Sequence, residues 1–205
     1  MTPLSKIASL FIIAVSAAGI IFLVISFGGK SKSLPVLGEP GHVAGNFSFT
    51  NQQGKTITEK EVTGKITVVE YFFTSCPGIC RQMAAGLQRV YEKYGNDSRF
   101  LILSHTVDPE RDSPLLLKAY ADKLQVHNSN WQFLTGDKQE LYNAARKEYL
   151  LSVEDNKAAS IAEDFIHTQY VCLLDEERKI RGFYDATDPK SIDKLIEDVE
   201  LLLKH

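Results

Sequence analysis

The chain has 205 residues, a formal net charge of -3 and 44% hydrophobic residues, which is ordinary globular composition. Lysine and arginine form no basic run or patch in the sequence, which argues against a nucleic-acid-binding protein. Three cysteines are too few and too unevenly spaced for a disulfide scaffold. Two of them stand close together, which indicates a local pair with a chemical role.

The N-terminal segment carries the clearest physical signal. Residues 7–27 form a run of 21 without charge or proline, and a helix of that length reaches about 30 Å, enough to cross a bilayer core. A cleaved signal peptide has a shorter apolar region and a small-x-small cleavage site, and residues 26–30 match such a site poorly. A lipoprotein anchor would need a cysteine just after the run, whereas the first cysteine is Cys76. The sequence therefore predicts an uncleaved membrane anchor.

This anchor divides the chain into four parts. We predict a short flank at 1–6, the anchor at 7–27, a linker at 28–43 and a globular domain at 44–205. Because Lys6 lies before the run and Lys30 and Lys32 after it, positive charge does not decide the orientation. The default for such an anchor is a single-pass protein with its domain on the extracytoplasmic, periplasmic-type side.

Beyond the linker, strand and helix patterns alternate, which predicts an α/β fold. Alternating residues at 47–49 and 56–58 predict a hairpin, and Ser113 with Pro114 predicts a helix start. Leu116, Tyr120 and Leu124 lie on one face of that helix. Strands are predicted at 66–73, 100–103, 131–134, 170–174 and 179–184. Helices are predicted from Cys80 to Gly95, from Ser113, around Leu141 to Tyr149 and at 192–203. A polar loop is predicted at 152–164. This order predicts a thioredoxin-like fold with an extra N-terminal β-hairpin and an inserted strand and helix.

The cysteine pair lies where a buried strand gives way to a helix. Backbone N–H groups at a helix start favour a thiolate over a thiol, and the thiolate is both the nucleophile and the metal ligand. Cys76 and Cys80 are four residues apart, so both sulfurs fall on one side of the first helical turn. The pair can close a disulfide or hold one soft ion.

A histidine distinguishes these two uses of the pair. Redox thioredoxins have two residues between their cysteines and a proline opposite them, whereas this chain has three intervening residues and His167 just before the strand at 170–174. By topology this loop faces the cysteine helix. Two thiolates and an imidazole suit Cu(I), while structural zinc normally takes a fourth ligand. His105, at the end of the second strand, is the reserve ligand. Cys172 is interpreted as a core residue, with a third thiol ligand as the alternative.

Three stretches resemble the Sco/SenC family of copper-binding, thioredoxin-fold proteins: YFFTSCPGIC at 71–80, SHTVDPERDSP at 104–114 and DFIH at 164–167. The resemblance covers roughly residues 45–203 and implies Cu(I) binding by Cys76, Cys80 and His167. It also implies that Asp108 and Asp164 orient the ligands, and that the chain helps assemble the dinuclear copper centre of cytochrome c oxidase. The expected partner is the copper-bearing oxidase subunit or another copper acceptor.

The chain departs from the family motif beside the cysteines. Family members often carry Asp between the cysteines and Pro with acidic residues after them, where this chain has Gly78 and then Arg81. The more positive local charge favours thiolates and bears on the docking partner.

Three functions compete at this site. The first is a copper chaperone, a binding protein rather than an enzyme, in which a Cys76–Cys80 disulfide would remove the site. The second is a thiol-disulfide oxidoreductase that needs both cysteines but not His167. The third is a peroxidase that uses Thr74 or Arg81, whose spacing fits poorly.

Overall fold

A mixed β-sheet forms the centre of the protein in the computed structural model, which describes residues 33–151 and 168–204. The seven strands of these residues lie in the order β2-β1-β5-β4-β3-β6-β7. Their bounds are β1 Ser48–Asn51, β2 Thr56–Thr58, β3 Ile66–Phe72, β4 Phe100–Thr106, β5 Trp131–Thr135, β6 Tyr170–Leu174 and β7 Ile180–Asp185. β3, β4 and β5 are parallel, and the remaining pairs are antiparallel.

The helices begin where the sequence supplies capping groups. The Ser113 side chain accepts a hydrogen bond from the Leu116 backbone N–H, and the Asp188 carboxylate caps the last helix in the same way. The helices are α1 Glu59–Val62, α2 Ile79–Tyr94, α3 Pro114–Lys123, α4 Lys138–Asn143 and α5 Pro189–Leu203. A π-helical turn, Ala144–Glu148, continues α4.

The sheet separates two hydrophobic clusters. Helices α2, α3 and α5 pack on one face, against side chains such as Val68 and Ile102. Helices α1 and α4 pack on the other face, against side chains such as Val69 and Leu103. Every residue of β3 and β4 is buried, because both strands are covered on both faces. Neighbouring residues of these strands therefore face different clusters.

Helices α2 and α5 approach closely on the first face. A Cβ atom on Gly86 would lie 2.5 Å from the Ala186 carbonyl oxygen, so only glycine fits this position without a shift. The contact fixes the path of α2, whose first turn carries Cys80.

The predicted order of the strands and of the longer helices is confirmed in the described residues, including the hairpin of β1 and β2, whereas the short helix α1 was not predicted. The predicted face of α3 needs correction. The helix buries Leu117 and Ala121, while Leu116 is 42% exposed. Tyr120 and Leu124 do pack against the first cluster as predicted, but the fully buried side of α3 is centred one residue further along.

The N-terminal side of the domain also extends beyond its predicted start. The Leu37 N–H donates to the Ile180 carbonyl oxygen at 2.8 Å, and Leu34 packs against the first cluster. Part of the segment interpreted as a linker thus lies on the domain. No helix in residues 33–151 and 168–204 has the length and apolar character to cross a bilayer. The predicted anchor at 7–27, the loop at 152–164, Asp164 and His167 lie outside the described residues.

Candidate metal centre

The two motif cysteines lie together at the carboxyl end of β3. The Cys76 N–H donates to the Phe73 carbonyl oxygen at 3.2 Å, which turns the chain, and α2 begins at Ile79. The Cys80 N–H then donates to the Cys76 sulfur at 3.4 Å. The arrangement brings two sulfurs to one point, as their spacing predicted.

The two thiols differ in acidity. Although burial opposes ionisation of Cys76, hydrogen bonds from the Cys80 thiol and from the N–H groups of Gly78, Cys80 and Ile79 lower the pKa of Cys76. Burial and the neighbouring Cys76 sulfur raise the pKa of Cys80 to about 12. Cys76 is therefore the accessible thiolate, and Cys80 is the buried thiol that gives up its proton only when another charge compensates it.

A buried carboxylate holds the loop between β3 and α2, residues 73–78, against α3. We refer to this segment as the cysteine loop. Asp112 is 1% exposed, and it accepts hydrogen bonds from the Thr74 N–H at 3.1 Å and the Thr74 hydroxyl at 2.5 Å. The Thr106 hydroxyl at the end of β4 donates to the same carboxylate at 2.6 Å. Asp112 thus ties together the loop before Cys76, the end of β4 and the start of α3.

A second buried carboxylate, Glu70, lies on the face of the sheet that α2 and Cys80 cover, which we refer to as the cysteine face. Glu70 accepts a hydrogen bond from the Ser104 hydroxyl, and the Trp131 indole N–H donates to that hydroxyl at 2.8 Å. Burial raises the pKa of Glu70 to about 7, against the opposing Ser104 bond. A negative charge on Glu70 contributes to the raised pKa of Cys80, so the two groups interact through the core.

Sequence reasoning missed both carboxylates as parts of the site. Glu70 stands alone as a charged residue in a run typical of a strand buried on both faces, and that contrast was the available signal. Asp112 belongs to the 104–114 stretch, but nothing local separates it from Asp108. The Asp108 carboxylate lies 3.7 Å from Arg111, and its role in orienting ligands remains a prediction.

Two small cavities border the cysteines. One of about 250 Å³ is lined by Cys76 and Cys80 together with Arg81, Tyr120 and Lys123. The other, of about 190 Å³, is lined by Cys80, Ile79 and Met83 and by Thr168 and Gln169. The second cavity therefore joins the first turn of α2 to the segment that enters β6.

The structure corrects the choice of His105 as reserve ligand. His105 is fully buried on the opposite face of the sheet, and its ring stacks on Tyr71 at 5.0 Å between centroids. Phe49 and Tyr149 contact the same ring. Among the described residues neither ring nitrogen has a hydrogen-bond partner, and burial lowers the pKa of His105 to about 3 despite a weak opposing effect of the nearby Glu70 backbone. Cys172 is also fully buried on this second face.

The described residues thus supply two of the three predicted ligands. No three His, Cys, Asp or Glu side chains converge on one point within 33–151 and 168–204. Cys76 and Cys80 are not joined in a disulfide, so both sulfurs are available to a soft metal ion.

Comparison with known proteins identifies relatives over nearly the whole domain. The SCO1/SenC family model matches residues 36–204. The SCO1 protein homolog of Bacillus subtilis is 30% identical over 188 residues, covering 89% of this chain and 93% of the relative.

Solved structures of similar proteins share the fold. BsSco, described as a member of the Sco family of cytochrome c oxidase assembly proteins with a disulfide switch, superimposes with a TM-score of 0.68. BsSco is 27% identical to this chain, and the superposition covers 83% of this chain and 98% of the BsSco chain. Yeast Sco1 with copper bound gives a TM-score of 0.54 at 27% identity, covering 80% and 95%. With a thioredoxin-like mixed sheet, a paired-thiol site and a family match across the domain, the chain belongs to the SCO1/SenC family.

Proposed function

We propose that the chain is a membrane-tethered copper chaperone that binds Cu(I) through Cys76, Cys80 and His167. One observation carries the proposal. Thr168, the residue after His167, borders the same cavity as Cys80. The described chain therefore resumes beside Cys80, one residue after the third proposed ligand.

The donor set suits the cargo. Two sulfurs and one imidazole nitrogen are soft and borderline donors, which fit Cu(I) better than calcium or magnesium. Cys76 supplies a thiolate at modest cost because its pKa is lowered. Cys80 must release its proton when it binds the ion, so copper affinity should increase with pH.

Transfer of the ion then proceeds by exchange of ligands. Thiolates of an acceptor replace Cys76 first, since it is the more exposed of the two sulfurs. If an oxidant takes two electrons from the pair and both thiols lose their protons, a Cys76–Cys80 disulfide forms. The disulfide removes both sulfur ligands. We infer that the acceptor is the copper-bearing subunit of cytochrome c oxidase or another copper protein, reached from the extracytoplasmic side of a membrane that residues 7–27 cross.

A second function, thiol-disulfide exchange with a partner protein, is favoured by the acidity difference between the cysteines. A partly exposed thiol of lowered pKa beside a buried thiol of raised pKa is the arrangement of an attacking and a resolving cysteine. This function needs Cys76 and Cys80 but not His167.

Metal analysis of the reduced full chain distinguishes the two functions. We expect one Cu(I) per chain, loss of binding in Cys76→Ser and Cys80→Ser, and an affinity reduced at least about tenfold in His167→Ala. His127→Ala is the matched control, since His127 is an exposed histidine outside the site. If His167→Ala binds copper as tightly as the control while Cys76→Ser abolishes reduction of a disulfide substrate, the redox function replaces the chaperone.

A further inference from the structure

The cavity of about 250 Å³ beside the cysteines opens between α2 and α3, and we refer to it as the cysteine groove. Its walls are the loop of Cys76, the first turn of α2 with Arg81, and the α3 side chains of Tyr120 and Lys123. A chain segment that delivers a sulfur to Cys76 would pass along this groove. The groove is therefore the first surface that a partner of the thiols meets.

The charged side chains that line the groove are both positive. Arg81 and Lys123 are exposed, and neither forms an ion pair with another described residue. Elsewhere on α3, Lys118 pairs with Asp122 at 2.9 Å. The exposed Glu110, in the loop before α3, does not line the groove. Two cations that line the cavity of a thiolate and have no ion-pair partner among the described residues favour an anionic ligand.

Exposed apolar side chains surround the same end of the molecule. Ile79, in the first turn of α2, is 37% exposed, and Leu116, one turn before Tyr120 on α3, is 42% exposed. Leu115 beside it is 79% exposed, and Tyr170, two residues beyond the cavity-lining Thr168, is 48% exposed. Such side chains around a polar centre are typical of a protein contact surface.

We propose that the cysteine groove recognises a partner segment in which a carboxylate side chain stands next to a cysteine. The carboxylate pairs with Lys123 and Arg81 while the partner sulfur approaches Cys76, and apolar partner residues cover Ile79 and Leu116. This inference rests on the proposed thiol chemistry of the site. It adds the chemical class of partner, an acidic cysteine-bearing segment of a protein.

A thiol-exchange assay tests the charge preference without copper. Three peptides of equal length carry one cysteine as a mixed disulfide with thionitrobenzoate, flanked by two Glu, two Gln or two Lys residues. The Cys76 thiolate of the reduced full chain, kept in nonionic detergent, attacks the peptide sulfur. One S–S bond breaks, another forms, and thionitrobenzoate leaves with the electron pair and is measured by its absorbance.

We expect the acidic peptide to react about tenfold faster than the basic one, with the neutral peptide between them, and the ratio to approach one in ~0.5 M salt. In Lys123→Glu, and more fully in Lys123→Glu with Arg81→Glu, the ratio should fall to one or invert. Using a ratio removes any change in thiol reactivity that the substitutions cause. Lys55→Glu, in the hairpin turn at the far edge of the sheet, should keep the wild-type ratio.

A ratio near one in the wild-type chain, or one that survives the double substitution, overturns the proposal. The result is independent of copper chemistry. If the chain binds Cu(I) but shows no charge preference, only the proposal of an acidic partner is wrong. If the chain shows the charge preference but does not bind Cu(I), the proposed role of the cysteine groove is supported and the copper-chaperone function is wrong.

Discussion

Glu70 and His105 are buried ionisable side chains on neighbouring strands, and they face opposite sides of the sheet. Their pKa values move in opposite directions, because burial disfavours the charged form of each. Each residue therefore couples folding to protons in its own pH range.

Glu70 should make the protein less stable as the pH rises. Its folded-state pKa of about 7 lies above the ordinary 4.5, so its contribution is complete below pH 4.5 and is lost as the pH rises through 7. Relative to Glu70→Gln, which keeps an acceptor for Ser104, the wild-type free energy of unfolding should fall by about 3 kcal/mol across this range. Urea unfolding of the reduced, copper-free chain at several pH values measures the difference. Glu140→Gln, on the exposed surface, should show no such change.

His105 should have the opposite effect at acid pH. Its folded-state pKa of about 3 lies below the ordinary 6.5, so its contribution is complete above pH 6.5 and is lost as the pH falls through 3. His105→Phe removes this acid sensitivity and two ring nitrogens that have no hydrogen-bond partner in the described part of the chain, and it should stabilise the fold by about 1 kcal/mol at pH 7. Copper binding by this variant should match wild type. Loss of copper from a folded His105→Phe chain would contradict its exclusion as a ligand.

At the scale of elements, the site is built where the carboxyl ends of parallel strands meet two helix starts. β3 leads into the cysteine loop and α2, and β4 leads into the segment that ends at α3. Asp112 is the only described carboxylate that accepts hydrogen bonds from the cysteine loop. The geometry of the cysteine pair therefore depends on a residue of another element.

Removing the Asp112 charge should loosen this junction. Asp112→Asn loses at least one acceptor for Thr74 or Thr106 and should cost about 1–3 kcal/mol of stability. It should also change the pH profile of Cys76 alkylation, because the loop that presents the thiolate is no longer fixed. Asp122→Asn, exposed on α3, is the control. An unchanged alkylation profile in a folded Asp112→Asn chain would show that Asp112 stabilises the start of α3 but does not position Cys76.

At the scale of the whole molecule, the membrane anchor is a prediction that no described residue tests. The full chain should stay with membranes during alkaline carbonate extraction, because a run of 21 uncharged residues prefers the bilayer core. A chain that starts at Leu34, where the compact unit begins, should be released. Release of the full chain under the same conditions would show that residues 7–27 are not an anchor or are cleaved.

The sequence by itself determined the order of the strands and of the longer helices, the start of α3 at Ser113 and Pro114, and the closeness of Cys76 and Cys80. These features depend on local rules of periodicity, capping and helical spacing, which act within a few residues.

Only the tertiary structure decided which side each buried group faces. β4 is buried on both faces, so alternation alone could not reveal that His105 lies opposite the cysteines. The same holds for Glu70 on the cysteine face, for Asp112 reaching Thr74 and for Lys123 lining the cysteine groove. Each of these placements depends on strand pairing and helix packing between distant parts of the chain, which no local pattern encodes.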